Sequence, residues 1–175
     1  MAVYEVINKP GNYRTGLDVE HCIDYMTSPC KVKPAGVFGG AVPPSCAADA
    51  MNCVTNTYHN QGGVRFRHLV LSFAPNEGIS VEQAKEIAQK CISYYADSYQ
   101  IIAAVHEDKP HPHIHFGMNT TSYVDGSKYK GDKKRPIRFR GPHRSGAPFL
   151  RDTSEKITEY HSHEHYSKPS QHKIQ

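Results

Sequence analysis

The sequence has no tryptophan, and none of its five cysteines forms a Cys-x-x-Cys pair. An odd number of scattered cysteines argues against a disulfide framework and against a thiolate zinc site. The N-terminal segment MAVYEVINKPGNY lacks the apolar core of a signal peptide, and no apolar run is long enough to span a bilayer. These absences predict a reduced, cytoplasmic protein without membrane insertion.

Apolar residues are also scarce, at 38% of 175 residues, which predicts one domain with a modest core. The net charge of +4 is small, but it is unevenly distributed. Residues 128–144, KYKGDKKRPIRFRGPHR, hold eight lysines or arginines and one aspartate, so the rest of the chain is slightly acidic. A concentrated basic segment is typical of a polyanion-binding surface, with a solvated charged loop as the alternative.

Hydrophobic periodicity predicts four strands and three helices. The strands are expected at residues 2–7, 64–74, 100–106 and 113–119. The helices are expected at residues 16–28, 45–61 and 80–99. The last two strands are joined by a short turn and should form an antiparallel hairpin. The order of elements predicts an α+β domain whose central sheet is mostly antiparallel and flanked by helices.

Local signals refine these elements. Ser45 is expected to cap the second helix, and Ser80 with Gln83 forms a capping-box pattern for the third. The segment VFGGAV, residues 37–42, could be a strand or a bend. Apolar residues at helical spacing should turn one face of the first helix to the core, and these are Leu17, Cys22, Ile23 and Met26.

HEDKPHPHIH, residues 106–115, places four histidines in ten positions. Residues i and i+2 of a strand share a face, so His113 and His115 present two imidazoles side by side. His106 ends the neighbouring strand of the hairpin, and its ring completes a three-nitrogen set that leaves coordination positions open for catalysis. Asp108, in the turn, is expected to ligate through water or to fix a histidine tautomer.

Two other interpretations use the same residues. His111, His113 and His115 also match the alternating pattern of histidine-triad nucleotide hydrolases, in which the middle histidine is the nucleophile. A strand with polar decoration is the second possibility. Against the hydrolase, Pro112 occupies a strand position that should donate a hydrogen bond, and His106 is left without a role. We therefore favour the metal site, with His111 as a substrate contact or a surface residue.

A metal ion beside a phosphate-binding segment indicates metal-assisted phosphodiester chemistry, which needs water or a side chain as nucleophile. Tyrosine is the candidate side chain in a sequence with eleven of them. Tyr25, in CIDYMTSPCK, lies near the end of the first helix at the edge of its apolar stripe. By itself such a tyrosine is typical of a core or boundary residue. Tyr13 and the Tyr94–Tyr95 pair are the alternative nucleophiles.

Three blocks together, HEDKPHPHIHFGMN, IDYMTSPCK and FRHLVLSF, resemble the relaxase or mobilisation nuclease domain of plasmids and integrative elements. The P class of these His-hydrophobe-His endonucleases is the nearest in pattern, and His113-Ile114-His115 fits the name. The resemblance covers about residues 1–135. It implies a palm-like fold, with a central antiparallel sheet and flanking helices, related to replication-initiator nucleases.

The resemblance implies that Tyr25 attacks a DNA phosphodiester at the transfer origin. The product would be a 5′-phosphotyrosyl link and a free 3′-hydroxyl, which the same site could later rejoin. His106, His113 and His115 would hold a divalent ion on the scissile phosphate. Mn²⁺ or Mg²⁺ is expected as the working ion, although three imidazoles also accept Zn²⁺, Ni²⁺ or Co²⁺. A protein that kept the metal and the DNA binding but lost cleavage is the alternative.

The resemblance also implies supporting and DNA-contacting residues. Ser72 would contact DNA near the nick, while His68 and Asn119 would support the site together with Asp108. Single-stranded DNA would be bound by the basic segment, through Lys128, Lys130, Lys133, Lys134, Arg135, Arg138 and Arg140.

The expected domain organisation follows from these assignments. We expect residues 1–145 to form the nuclease domain and residues 146–175 a C-terminal helix with a histidine-rich tail, the start of a linker to further domains. Accessory proteins of the relaxosome and a coupling protein are the expected partners, in a bacterial cytoplasm.

Overall fold

The computed structural model describes residues 3–7 and 12–130, in which five strands form one sheet. The strands are β1 (Val3–Ile7), β2 (Val37–Gly40), β3 (Phe66–Ser72), β4 (Ile101–His106) and β5 (His113–Asn119). Their spatial order is β1-β3-β5-β4-β2, and each neighbouring pair is antiparallel. The predicted α+β class, the antiparallel sheet and the β4–β5 hairpin are confirmed.

Three helices cover the two faces of this sheet. They are α1 (Gly16–Thr27), α2 (Ala47–Thr57) and α3 (Val81–Tyr95). The capping box predicted for α3 is present, because the Ser80 hydroxyl accepts from the Gln83 amide while the Gln83 side chain accepts from the Ser80 amide. Within the described part of the chain, none of the helices combines the length and apolar character needed to cross a membrane.

The core is divided by the sheet into two clusters. On one face, α3 packs on alternate residues of β3, β4 and β5 such as Leu71, Val105 and Phe116. On the other face, α1 and α2 pack on Phe66, Ile102 and Ala104. Because both faces are covered, every residue of β4 and β5 is buried.

Some local expectations were wrong. Ser45 does not cap α2, because a short 3₁₀ turn over Pro44–Cys46 precedes the helix and Cys46 occupies the cap position. This helix also ends earlier than predicted, at Thr57. Leu17 is 57% exposed, since it lies in the first turn of α1 and points away from the sheet. The ambiguous segment at 37–42 contains an edge strand, β2, paired to β4.

Part of the prediction lies outside the described residues. The C-terminal helix and tail at 146–175 belong here, as do five of the basic side chains assigned to DNA, namely Lys133, Lys134, Arg135, Arg138 and Arg140. The boundary at residue 145 therefore stays a prediction.

Gly117 of β5 leaves room for α1 to pack closely on the sheet. A methyl group at this position of β5 would overlap the ring of Phe66 and lie 3.2 Å from the Met26 sulfur. We expect Gly117→Ala to lower the free energy of unfolding by about 1–3 kcal/mol through overpacking. Gly62→Ala is the matched control, because a methyl group at that position would have no neighbouring atom within 4 Å. Equal denaturation midpoints for both variants would contradict the tight packing of α1 on β5.

Candidate active site

Four histidines share the face of the sheet that α1 covers. His113 and His115 alternate along β5, and His106 at the end of β4 is paired with His113. His68 of β3 belongs to the same set, because it lies two residues from Val70, the cross-strand partner of His115. Side chains that are paired across strands, or two residues apart along one, point to the same face. The sheet register thus gathers four imidazoles beneath α1.

Three of these histidines form a cluster suited to a metal ion. One nitrogen from each of His106, His113 and His115 lies within 4.8 Å of the others. Nitrogens bound to one ion at about 2.1 Å lie no more than about 4.2 Å apart, so small ring rotations complete the site. The cluster contains the three residues predicted to bind metal. His111, which the nucleotide-hydrolase hypothesis required, is not among them.

Two of the clustered histidines have one ring nitrogen that faces a protein group and one that is unpaired. His106 donates from Nε2 to the backbone carbonyl of Met26 at 2.8 Å, so its Nδ1 carries a lone pair. His113 Nε2 faces the Asp108 carboxylate at 3.7 Å. The Nδ1 atoms of both histidines are buried without a hydrogen-bond partner in the described part of the chain. Unpaired buried polar atoms are unfavourable, and a divalent ion would satisfy a ring nitrogen that carries a lone pair.

The third ligand is held by another histidine. Nδ1 of His115 lies 2.8 Å from Nε2 of His68, and Nδ1 of His68 lies 3.0 Å from the Tyr13 hydroxyl. This arrangement leaves Nε2 of His115 for an ion. His68, predicted as a supporting residue, therefore contacts one of the three clustered histidines directly.

The electrostatics keep the cluster uncharged. Burial, and then the neighbouring His106, lower the pKa of His68 and of His113 to about 4. The same two causes lower the pKa of His115 further, and burial lowers the pKa of His106. All four rings are therefore neutral near pH 7, as metal ligation requires.

Tyr25 lies beside the histidine cluster. Its half-buried ring is 5.8 Å from the ring of His115 and 6.2 Å from that of His106, measured between centroids. It precedes Met26, whose carbonyl accepts from His106, so one hydrogen bond places the last turn of α1 over the cluster. The fold brings together Tyr25 and the histidines, about eighty residues apart in the sequence, as the metal-nuclease hypothesis requires.

Lys31 is a site residue that the sequence did not reveal. Its ammonium group lies 3.7 Å from the centroid of the Tyr25 ring, which is a cation–π contact. The loop after α1 is held there because the Lys31 carbonyl accepts from the Glu107 amide at 3.0 Å. The sequence offered one signal, because Lys31 is the last residue of the block CIDYMTSPCK that contains Tyr25, but no spacing rule connects the two.

Ser72 and Asn119 lie at opposite ends of the histidine face. Ser72 pairs with His113 across the sheet and is half-buried. Asn119, at the other end of β5, donates to the Met51 carbonyl and the Gln100 side chain at 3.1 Å each. Asn119 thus connects the sheet to α2. It lies four residues along β5 from His115, the nearest of the clustered histidines on that strand.

Two basic residues of the predicted DNA-binding segment, Lys128 and Lys130, lie in the described part of the chain, and they differ in their contacts. The ammonium group of Lys128 donates to the backbone carbonyls of Asn60 and Gly62, so it holds two loops together. Lys130 is exposed and has room to contact a ligand.

The site is thus a neutral three-histidine cluster on an antiparallel sheet, suited to a divalent metal ion, with a tyrosine and a lysine beside it. Residues 26–141 match the family described as "Relaxase: MobA/VirD2-like, nuclease domain". The chain belongs to this relaxase family, and the resemblance noted from its sequence is confirmed. The matched region includes all three clustered histidines and begins one residue after Tyr25.

Curated relatives agree with this assignment. The chain is 32% identical over 63 residues to the group II intron-interrupted relaxase LtrB of Lactococcus lactis subsp. cremoris strain MG1363, and equally to that of another L. lactis subsp. cremoris sequence. The match covers 35% of this chain and 11% of each relative. The family and the cluster together support a relaxase-type nickase with a histidine cluster suited to a divalent metal.

Loss of one ligand should abolish tight metal binding. We expect His113→Ala to weaken Mn²⁺ binding by more than about 100-fold, beyond the 10–100-fold typical for loss of a residue that orients a ligand. Titration calorimetry measures the affinity, and circular dichroism establishes that the metal-free variant is folded. His21→Ala, an exposed position on α1, is the control and should bind as the unmodified protein does. Equal affinities for the two variants would refute the metal site.

Proposed function

We propose that this chain is a site- and strand-specific DNA nicking and joining enzyme, a conjugative relaxase that acts at a transfer origin. The observation that supports this function best is the position of Tyr25 within 5.8 Å, centroid to centroid, of a histidine of the metal cluster. A chain of the relaxase family with a tyrosine at this position has both a nucleophile and a site for the phosphate.

Tyr25 would act as the nucleophile in a transesterification. Its hydroxyl oxygen forms a bond to phosphorus while the bond from phosphorus to the 3′-oxygen breaks. The phenol proton passes to solvent or a nearby base, and the departing 3′-oxygen takes up a proton. The products are a 5′-phosphotyrosyl link and a free 3′-hydroxyl. Attack by that hydroxyl reverses the reaction without ATP, because the phosphodiester energy is retained.

The surrounding residues favour this attack. Lys31 places a positive charge over the Tyr25 ring and so stabilises the phenolate that attacks. His106, His113 and His115 would hold the divalent ion, which supplies positive charge to the phosphoryl oxygens when it is bound. Mn²⁺ or Mg²⁺ is the ion we expect in the working enzyme. Asp108 would orient His113, to which it lies close.

DNA would reach the site along the open end of the histidine face. Ser72, paired with His113 at this end, would contact the strand near the nick. Lys130 and the basic residues beyond it would bind phosphates of single-stranded DNA. Accessory relaxosome proteins and a coupling protein are the partners that a transfer origin requires.

Tyr25→Phe tests the nucleophile. We expect complete loss of the covalent protein–DNA adduct when the protein is incubated with Mn²⁺ and a single-stranded oligonucleotide from its cognate origin. Denaturing electrophoresis measures the adduct, and gel-shift binding of the same oligonucleotide should persist. Tyr94→Phe, on an exposed face of α3, is the matched control with normal adduct. Adduct formation by Tyr25→Phe would show that another residue attacks, and binding without adduct by the unmodified protein would indicate a non-catalytic module.

Lys31→Met tests the charge over the tyrosine ring. A cation–π contact contributes about 0.5–1 kcal/mol when exposed and about 2 kcal/mol when desolvated. Because Lys31 and Tyr25 are both half-buried, the initial rate of adduct formation should fall roughly two- to thirtyfold. Lys33→Met is the matched control, because Lys33 is exposed and pairs with Glu107 instead, at 2.7 Å. An equal rate in both variants would exclude a role for the Lys31 charge.

A further inference from the structure

A chain of hydrogen bonds leads away from His115 into the core under α1. It runs from His115 to His68 at 2.8 Å and from His68 to the Tyr13 hydroxyl at 3.0 Å. Burial raises the pKa of the Cys22 thiol and the neighbouring Tyr13 hydroxyl opposes that rise, so these two side chains also lie close together. Cys22 in turn donates to the Met26 thioether, with a sulfur–sulfur distance of 4.0 Å. Four contacts therefore connect a predicted metal ligand to the residue that follows Tyr25.

The last member gives this chain a direction. A thioether sulfur accepts hydrogen bonds and cannot donate them, so the proton of the Cys22 thiol points to Met26. The Cys22 sulfur is then the acceptor for the Tyr13 hydroxyl proton. The Tyr13 oxygen accepts in turn from Nδ1 of His68.

The direction continues to the metal site. Since the proton of neutral His68 is on Nδ1, its Nε2 must accept, and the donor is the Nδ1–H of His115. The single proton of His115 is thereby placed on Nδ1. Its Nε2 keeps a lone pair, which is the state that can bind an ion.

The opposite direction would disable the ligand. The hydroxyl of Tyr13 would donate to His68, and His68 would donate from Nε2 to His115. His115 would then carry its proton on Nε2, where the ion must bind. With the Cys22 proton directed to Met26, neither the Tyr13 oxygen nor the Cys22 sulfur would have a proton left for a hydrogen bond to the other. The contact between Cys22 and Met26 therefore favours the competent direction.

We propose that His68, Tyr13, Cys22 and Met26 form a directed hydrogen-bond chain that holds His115 in its metal-binding tautomer, with Tyr13 as a positioning residue. This inference rests on the metal site of the proposed function. It assigns Tyr13 a role other than nucleophile.

Burial and backbone contacts stabilise this hydrogen-bond chain. Tyr13, Cys22, His68 and Met26 are all buried, at 9% exposure or less, so water has little access to replace a partner. Tyr13 is fixed through its backbone, because its carbonyl accepts from the Arg65 amide at 2.7 Å, just before β3. Its ring packs against Phe66 at 5.9 Å between centroids.

Met26 therefore serves two ligands with two different atoms. Its backbone carbonyl accepts from His106 and leaves Nδ1 of that ring bare, while its sulfur terminates the chain from His115. The residue beside the predicted nucleophile thus determines where the protons lie on two of the three metal-binding histidines.

Tyr13→Phe tests the chain without removing any ring. In the metal-free protein, two-bond nitrogen–proton correlation spectra report which nitrogen of His115 carries the proton. The unmodified protein should show Nδ1–H, and the variant should show a mixture with Nε2–H. Its Kd for Mn²⁺ should rise about tenfold, as is typical when a ligand loses its orienting partner.

The control is Tyr123→Phe, which loses a hydrogen bond of similar length, 2.7 Å to the Ala96 carbonyl, far from the cluster. It should leave the His115 tautomer and the Mn²⁺ affinity unchanged. A folded Tyr13→Phe protein with wild-type tautomer and affinity would overturn the inference.

Cys22 provides a second test if Tyr13→Phe fails to fold. Cys22→Ser keeps one donor and one acceptor, so the chain direction and the Mn²⁺ affinity should be largely retained. Cys22→Ala interrupts the chain and should raise the Kd for Mn²⁺ about tenfold. If Cys22 only fills the core, the apolar alanine should serve at least as well as serine, and that result would overturn the inference.

These measurements use no DNA, so they are independent of nicking. If nicking is absent but Tyr13→Phe changes the His115 tautomer, the proposed enzyme is rejected and the hydrogen-bond chain is retained. If nicking is normal but the tautomer does not change, the hydrogen-bond chain is rejected and the proposed enzyme is retained.

Discussion

The hydrogen bond from His106 to the backbone carbonyl of Met26 is the contact on which the site depends. Its partners are eighty residues apart, at the end of β4 and in the last turn of α1. By closing this distance it places α1 across the histidine face, sets Tyr25 beside the cluster, and determines which nitrogen of His106 is available. Packing of α1 on Phe66 and Gly117 supports the same position.

Burying the histidine cluster is energetically unfavourable for the fold, because imidazoles lose their hydrogen bonds to water. Four imidazoles are buried in strands that are otherwise apolar, and their burial lowers the pKa of each. Buried polar groups are tolerated when each has a partner. Here the partners are Met26, Asp108, His68 and Tyr13 on one side of the rings, and a metal ion would be the partner on the other. Binding of an ion would therefore also complete the pairing of these buried groups.

Much of this could be predicted from the sequence, because strand alternation and pairing are local properties. The period of two along β5 placed His113 and His115 on one face, and the short hairpin turn brought His106 to them. Residues whose role depends on loop positions could not be found in this way. Lys31 reaches Tyr25 only because its loop is bonded to Glu107, and Tyr13 precedes α1 in a segment without periodicity. The predictions that Leu17 faces the core and that Ser45 caps α2 were wrong because each residue lies at a helix start, where a shift of one turn changes exposure and capping.

The position of β5 at the centre of the sheet has a consequence for how such a nuclease could diversify. His115 is paired on one side with Val70 and on the other with Ala104, so its register is fixed by two neighbours. A single slip would turn the imidazoles to the α3 face, and both partners oppose it. The turn at residues 107–112 carries little of that constraint. Apart from Glu107, which is bonded to the Lys31 loop, and Asp108, this turn is a stretch where length and sequence could change while the strand register that gathers the histidines is preserved.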